Sequence, residues 1–217
     1  MTAGAGADRS PDPATEPVNP LLFLIRHGQT EFNVQRRLQG RMDSPLTPLG
    51  VEQARRMGKV LKTFADEPER WTMVSSPLGR TRRTAEIVCE TVGLGCRIET
   101  DDRLMEIDVG DWEGLNGEEI EAARPGAREA PDWLLSAPRG ETWETASARI
   151  ASWLAEHEED DGRRRLVVSH GITGRILRGL YSGEGPGQIW TTPSPPQDAV
   201  FRLWKGVVGR LDEGEDG

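Results

Sequence analysis

The chain reads as an α/β protein, a three-layer α/β/α sandwich around a mostly parallel central sheet. Short apolar runs at 21–25, 71–75 and 166–169 alternate with stretches in which apolar residues recur at steps of three and four, the period of an amphipathic helix. Parallel strands joined through helices need cover on both faces, and this alternation supplies it. Two of the runs also end alike. His27-Gly28 follows the first and His170-Gly171 the third, so two of the chain's 3 histidines stand at equivalent strand ends.

Taken in order, the run at 21–25 lies between Pro20 and Gly28 and predicts a buried strand with Arg26-His27 at its carboxyl end. Open α/β sheets place their ligands at such ends. A polar loop with Arg36, Arg37 and Arg41 follows and closes at Ser44-Pro45. Thr47-Pro48 caps and starts a helix over 48–64, with Ala54, Met57, Leu61 and Phe64 on one face. A second strand covers 71–75. Ser76-Pro77 then opens a helix with Leu78, Thr81, Ala85, Val88 and Val92 on one stripe, ended by Gly93.

Short strands are expected at 97–99 and 104–107, flanking Asp101-Asp102, and the proline- and glycine-bearing residues 124–140 form an irregular insert. Helical spacing returns with Trp143, Ala146, Ile150, Trp153 and His157. A strand over 166–169 and a helix carrying Ile172, Ile176 and Leu180 come next. Residues 183–196 form a loop insert, and 199–204 pairs with 207–211 across Lys205-Gly206.

With 217 residues the chain suits one domain over 21–211, between a disordered tail at 1–20 and a short acidic tail at 212–217. A formal charge of −9 disfavours nucleic acid and anionic membranes as partners. No apolar stretch approaches the ~20 residues that span a bilayer. The first residues lack the apolar core of a secretion signal, so the expected compartment is the cytoplasm, with Cys89 and Cys96 reduced and unbridged.

Four segments carry the chemistry: LIRHGQTEFN at 24–33, SSPLGRTRRTAE at 75–86, LMEIDVGDWEG at 104–114 and VVSHGITGR at 167–175. In that order and in those strand and helix contexts, the chain resembles the histidine phosphatase superfamily, the phosphoglycerate mutase-like family. The resemblance covers nearly all of 21–211. It implies that His27 is the nucleophile, that Arg26 and Arg80 hold phosphate, that Glu106 donates a proton, and that His170 is a second phosphate-contacting histidine. It implies a small phosphorylated substrate and no cofactor. Homodimerisation is left open.

Each role has a chemical reason. A transferring phosphoryl group spreads its charge over three oxygens, which guanidinium forks and an imidazole can clamp. A neutral imidazole nitrogen is a competent nucleophile near neutral pH, and a phosphohistidine intermediate lets water perform the second displacement. A carboxyl group protonates the departing oxygen best when its pKa is lifted toward neutrality. Asp101, Asp102, Asp108, Asp111 and Glu113 would repel Glu106 toward that state if they face it. The helix beginning at Gly171 is expected to aim its positive end at the anion, and Asn33 and Gln39 to touch phosphate or substrate.

Other conspicuous residues read as structural. His157 sits near a helix end, Arg82 and Arg83 as solvated charges, and Trp133 and Trp190 as lid packing. Two arginines beside the histidines argue against a metal there. The sequence Asp-Trp-Glu-Gly at 111–114 is similar to the phosphatase branch, so hydrolysis is expected ahead of mutase chemistry, with a binding-only module third.

Overall fold

The computed structural model describes residues 21–65, 67–95, 97–157 and 162–211. Its centre is a six-stranded sheet in the order β3-β2-β4-β1-β5-β6. Four strands run parallel: β1 (Leu22–Arg26), β2 (Trp71–Ser75), β3 (Ile98–Thr100) and β4 (Arg164–Ser169). The hairpin of β5 (Val200–Trp204) and β6 (Val207–Leu211) adds antiparallel to β1, turning through Lys205 and Gly206, both with positive φ.

Alternation along the strands decides the layers, because successive side chains leave opposite faces. Phe23 and Ile25 of β1, with Leu166 and Val168 of β4, pack under α2 (Pro48–Lys62) and α3 (Gly79–Val92). Leu22, Leu24 and Val167 face the other way, against α5 (Trp143–Glu156) and α6 (Gly171–Tyr181). This is the expected three-layer sandwich. Among the described residues no helix is long and apolar enough to cross a membrane.

Local signals mostly act as the sequence suggests. Thr47 caps α2 through its side-chain oxygen and the Gly50 N–H, and Gly93 ends α3 at φ 84°. His157 closes α5, its Nδ1 2.7 Å from the Trp153 carbonyl and its ring stacked on Trp153, so it is structural. The expected tails lie outside the described residues, as does Cys96. Cys89 lies on α3, its Sγ donating to the Leu94 carbonyl.

Four expectations need correction. The loop after β1 contains a one-turn helix, α1 (Glu31–Val34), closed by a capping box between Thr30 and Asn33. The expected strand at 104–107 does not form. Asp101 instead caps a 3-10 turn at Asp102–Leu104 through the Arg103 N–H, and the chain leaves the sheet edge there. α4 (Gly117–Ala123) forms between the Asp-Trp-Glu-Gly segment and the insert, where no helix is expected, with Glu118, Glu119 and Glu121 exposed; its Asn116–Glu119 capping box, directly ahead of Ile120, was a legible signal. The loop at 183–196 holds α7 (Pro186–Thr191), started by Pro186 at the first helical position, where its missing N–H costs nothing.

Candidate active site

Strand register builds the centre of the site. Arg26 of β1 pairs with Ser169 of β4, so the next residues, His27 and His170, emerge side by side at the carboxyl edge. The His27 N–H donates to the Ser169 carbonyl at 3.0 Å and the Ser76 N–H to the Val168 carbonyl at 3.0 Å, extending the ladder one step beyond each strand. The two imidazoles meet edge to face with centroids 5.2 Å apart. Both are buried.

Hydrogen bonds define each ring. His27 Nδ1 lies 2.8 Å from the Gly28 carbonyl. A carbonyl only accepts, so Nδ1 carries the proton and Nε2 keeps its lone pair. Burial first, then the guanidiniums of Arg26 and Arg80, hold the His27 pKa well below the usual histidine value. His170 is lowered likewise by burial, Arg80, His27 and Arg26. Its Nε2 is 2.8 Å from Ser76 Oγ, while Nδ1 is buried with no hydrogen-bond partner among the described residues.

Arg80 projects from the first turn of α3 and is held from behind. Its Nη1 donates to the Met42 carbonyl at 2.7 Å and its Nη2 to the Gly40 carbonyl at 2.8 Å. Asp43 ion-pairs with the same guanidinium at 3.4 Å and accepts the Arg80 backbone N–H at 3.1 Å, so it caps α3 and steers the side chain together. Arg26 donates to the Pro195 carbonyl at 3.3 Å, and its guanidinium lies so close to Gly171 that a Cβ there would press on it. Burial lowers both arginines from their ordinary values and Glu106 offsets part of this; guanidiniums stay charged regardless.

Glu106 departs most from expectation. Two of the first N–H groups of α6 are taken by this carboxylate, while Gly171 at the head of the helix lines the cavity. Thr173 N–H reaches Oε1 at 3.0 Å and Ile172 N–H reaches Oε2 at 3.2 Å. Oε1 also accepts from Ile107 N–H at 3.1 Å and meets Thr173 Oγ1 at 3.2 Å. The acids expected to crowd it are engaged elsewhere: Asp101 with Arg103, Asp108 with Gly110 N–H and Arg41, Asp111 with Arg139, Glu113 with Arg41 N–H. Asp102 is exposed. The charges beside Glu106 are Arg26, Arg80 and Arg175.

These groups line a cavity of about 160 Å³ that includes Arg26, His27, Arg80, Glu106 and Gly171. Asn33 and Gln39 also line it. Asn33 Oδ1 is committed to Thr30 N–H and to Gln197 at 2.7 Å, so that end of the side chain ties the loop to the segment before β5. Gln39 is buried, its Oε1 without a hydrogen-bond partner among the described residues. Trp133 packs on Trp112, and Trp190 on Trp143. A larger cleft of about 530 Å³ between Asp43 and Arg83 shares Arg80 but contains neither histidine nor Glu106. Among the described residues no group of three or more histidine, cysteine or acidic side chains could hold a metal ion.

Sequence reasoning missed Asp43, Ser76, Thr84 and Thr173. Thr84 Oγ1 accepts the Gly28 N–H at 3.1 Å and donates to the Arg80 carbonyl at 2.8 Å, joining the histidine loop to α3. Only Thr173 carried a visible cue, its place in the first turn of the helix after His170.

Fold and site together define an α/β protein whose strand ends bring His27, two guanidiniums and one carboxylate to the wall of a small hollow, with the His170 imidazole packed against His27. The chain belongs to the histidine phosphatase superfamily (branch 1), whose sequence profile matches residues 22–203. It is 40% identical over 157 residues to a probable phosphoglycerate mutase of Klebsiella pneumoniae (strain 342), covering 70% of this chain and 69% of that one. A mycobacterial glucosyl-3-phosphoglycerate phosphatase in complex with VO3 superposes with TM-score 0.70 at 30% identity, over 84% of this chain and 92% of that one. The alpha-ribazole phosphatase of Shigella flexneri gives TM-score 0.72 at 25% identity, over 88% and 94%.

Proposed function

We propose that this protein is a phosphomonoester hydrolase that passes the phosphoryl group through His27 to water, without a metal ion. The observation that carries the reading is the state of His27: Nδ1 is tied to Gly28, so the nitrogen left with a lone pair belongs to a ring lining the cavity beside Arg26 and Arg80.

In the first step Nε2 of His27 bonds to phosphorus as the ester P–O bond breaks. Glu106, entering as the carboxylic acid, gives its proton to the departing oxygen. Oε2 carries one backbone donor where Oε1 carries several, which makes it the freer oxygen to hold that proton. In the second step water attacks phosphorus, its proton passes to Glu106, and the N–P bond breaks, releasing inorganic phosphate. Arg26 and Arg80 clamp the equatorial oxygens in both steps, and His170 Nδ1, buried without a partner among the described residues, is the remaining ring nitrogen to meet them.

Phosphate release from p-nitrophenyl phosphate in EDTA tests the reading. Full turnover is expected, and loss of turnover on chelation overturns the metal-free assignment. His27→Ala is expected to abolish turnover and any acid-labile phosphoenzyme. A mutase reading is favoured by the name of the Klebsiella relative. Interconversion of 3- and 2-phosphoglycerate in the presence of 2,3-bisphosphoglycerate, faster than phosphate release, would put it first.

A further inference from the structure

Glu106 stands on a segment that belongs to neither sheet nor helix. It follows the 3-10 turn at Asp102–Leu104, where the chain has already left the sheet edge. On the side of the strand ends, Ser169 Oγ donates to the Leu104 carbonyl at 2.9 Å and Thr173 Oγ1 to the Met105 carbonyl at 2.7 Å. The other side is held by two residues that do not line the cavity. Arg149, in the second turn of α5, donates through Nη1 to the Arg103 carbonyl at 2.5 Å, and through Nε and Nη2 to the two carboxylate oxygens of Glu141 at 2.6 and 3.0 Å. Glu141 Oε2 accepts the Asp108 N–H at 3.3 Å, and the Glu141 N–H donates to the Asp108 carbonyl at 2.8 Å. The approach is close, since a Cβ on Gly140 would stand 2.8 Å from the same carbonyl. One forked ion pair thus grips the chain at Arg103 and at Asp108, on either side of Glu106.

The pair is largely buried, with side-chain exposures of 15% for Arg149 and 7% for Glu141. Two charges taken out of water gain little net stability from each other, and apolar side chains of similar volume often fill such a space as well. They could not supply a rigid fork that joins a carboxylate and a backbone carbonyl in fixed directions. Stability is therefore a weak reason for the pair, and its attachment to both flanks of Glu106 is a stronger one. We infer that Glu141 and Arg149 are positioning residues that hold Glu106 where it can protonate the leaving group. This rests on the proton-donor role proposed for Glu106 and adds the device that keeps the carboxyl in place.

The test compares p-nitrophenyl phosphate, whose leaving group is a weak base that departs with little help from an acid, with phenyl phosphate, whose leaving group is a stronger base and needs the proton. kcat/KM is measured for both on each full-length variant. Both values come from one preparation, so any inactive fraction cancels from their ratio. In Glu141→Gln, and in Arg149→Lys, which keeps the charge but not the planar fork, kcat/KM on phenyl phosphate is expected to fall about tenfold further than on p-nitrophenyl phosphate. Glu106→Gln is expected to move the ratio in the same direction and further. Equal losses on the two substrates in Glu141→Gln and Arg149→Lys, or no loss at all, overturn the inference. If Glu106→Gln moves the ratio and those two variants do not, the positioning role falls while the proton donor stands. A ratio unmoved by Glu106→Gln removes the proton-donor role, and the inference falls with it.

Discussion

Asp43 holds Arg80 at two points, accepting its backbone N–H at 3.1 Å and pairing with its buried guanidinium at 3.4 Å. One carboxylate thus caps a helix and aims the guanidinium proposed to hold phosphate. The ion pair is half exposed on the Asp43 side, so its effect lies in orientation more than in stability. Asp43→Asn keeps a capping oxygen and should leave the melting temperature nearly unchanged, while Asp43→Ala should cost about 1 kcal/mol. Both should lower kcat/KM, by about tenfold, through misalignment of Arg80. Unchanged kcat/KM in both variants would show that the Gly40 and Met42 carbonyls suffice.

Thr173 supplies a hydroxyl lying 3.2 Å from Glu106 Oε1 and 2.7 Å from the Met105 carbonyl. Its single proton is shared between them, so the hydroxyl helps to fix where the carboxylate sits beside the cavity. Thr173→Val should lower kcat/KM by about tenfold, through looser placement of Glu106. Thr173→Ser should restore it. A loss shared alike by Val and Ser would point to backbone disturbance instead.

The two depressed histidines give stability a pH slope. In the unfolded chain each ring takes a proton near pH ~6.5, whereas burial and the arginines keep both neutral in the fold. Below that pH the unfolded state binds more protons, so this stability is complete above about 6.5 and is lost as pH falls toward the lowered folded values. Urea midpoints should fall between about pH 7 and 5, and less steeply in His170→Gln. An equal slope in that variant would mean the ring is not held neutral.

Gly28 and Gly50 pack backbone to backbone, and a Cβ on Gly50 would overlap the Gln29 carbonyl. Gly50→Ala should destabilise the fold by about 1–3 kcal/mol and displace the loop bearing His27. Denaturant unfolding together with kcat/KM checks both effects; a stable, fully active variant would show that the loop yields freely.

Strands and long helices were legible because their signals are local: the unbroken apolar runs of β1 and β4, the three- and four-residue spacing of the helices, Thr47 ahead of Pro48, Gly93 after Val92. The strand expected at 104–107 failed for a reason equally local but unread, since Asp101 bends the chain into a capped turn before pairing can continue. The short helices α1, α4 and α7 have too few turns to show a period, and only their caps mark them.

Motif residues likewise told which side chains meet, because parallel register carries Arg26 and Ser169, and so His27 and His170, to one edge. Charge pairing could not be read that way. Which carboxylate takes the α6 N-terminus, which acids turn from Glu106, and whether Arg37 is committed to Glu119 depend on loops that return from distant parts of the chain. Periodicity and motif are written along the chain, so sequence alone determined the layers and pointed to the side chains that meet at the strand ends. Electrostatic partnership falls off over a few ångströms of space, so only tertiary structure decided how those groups are held.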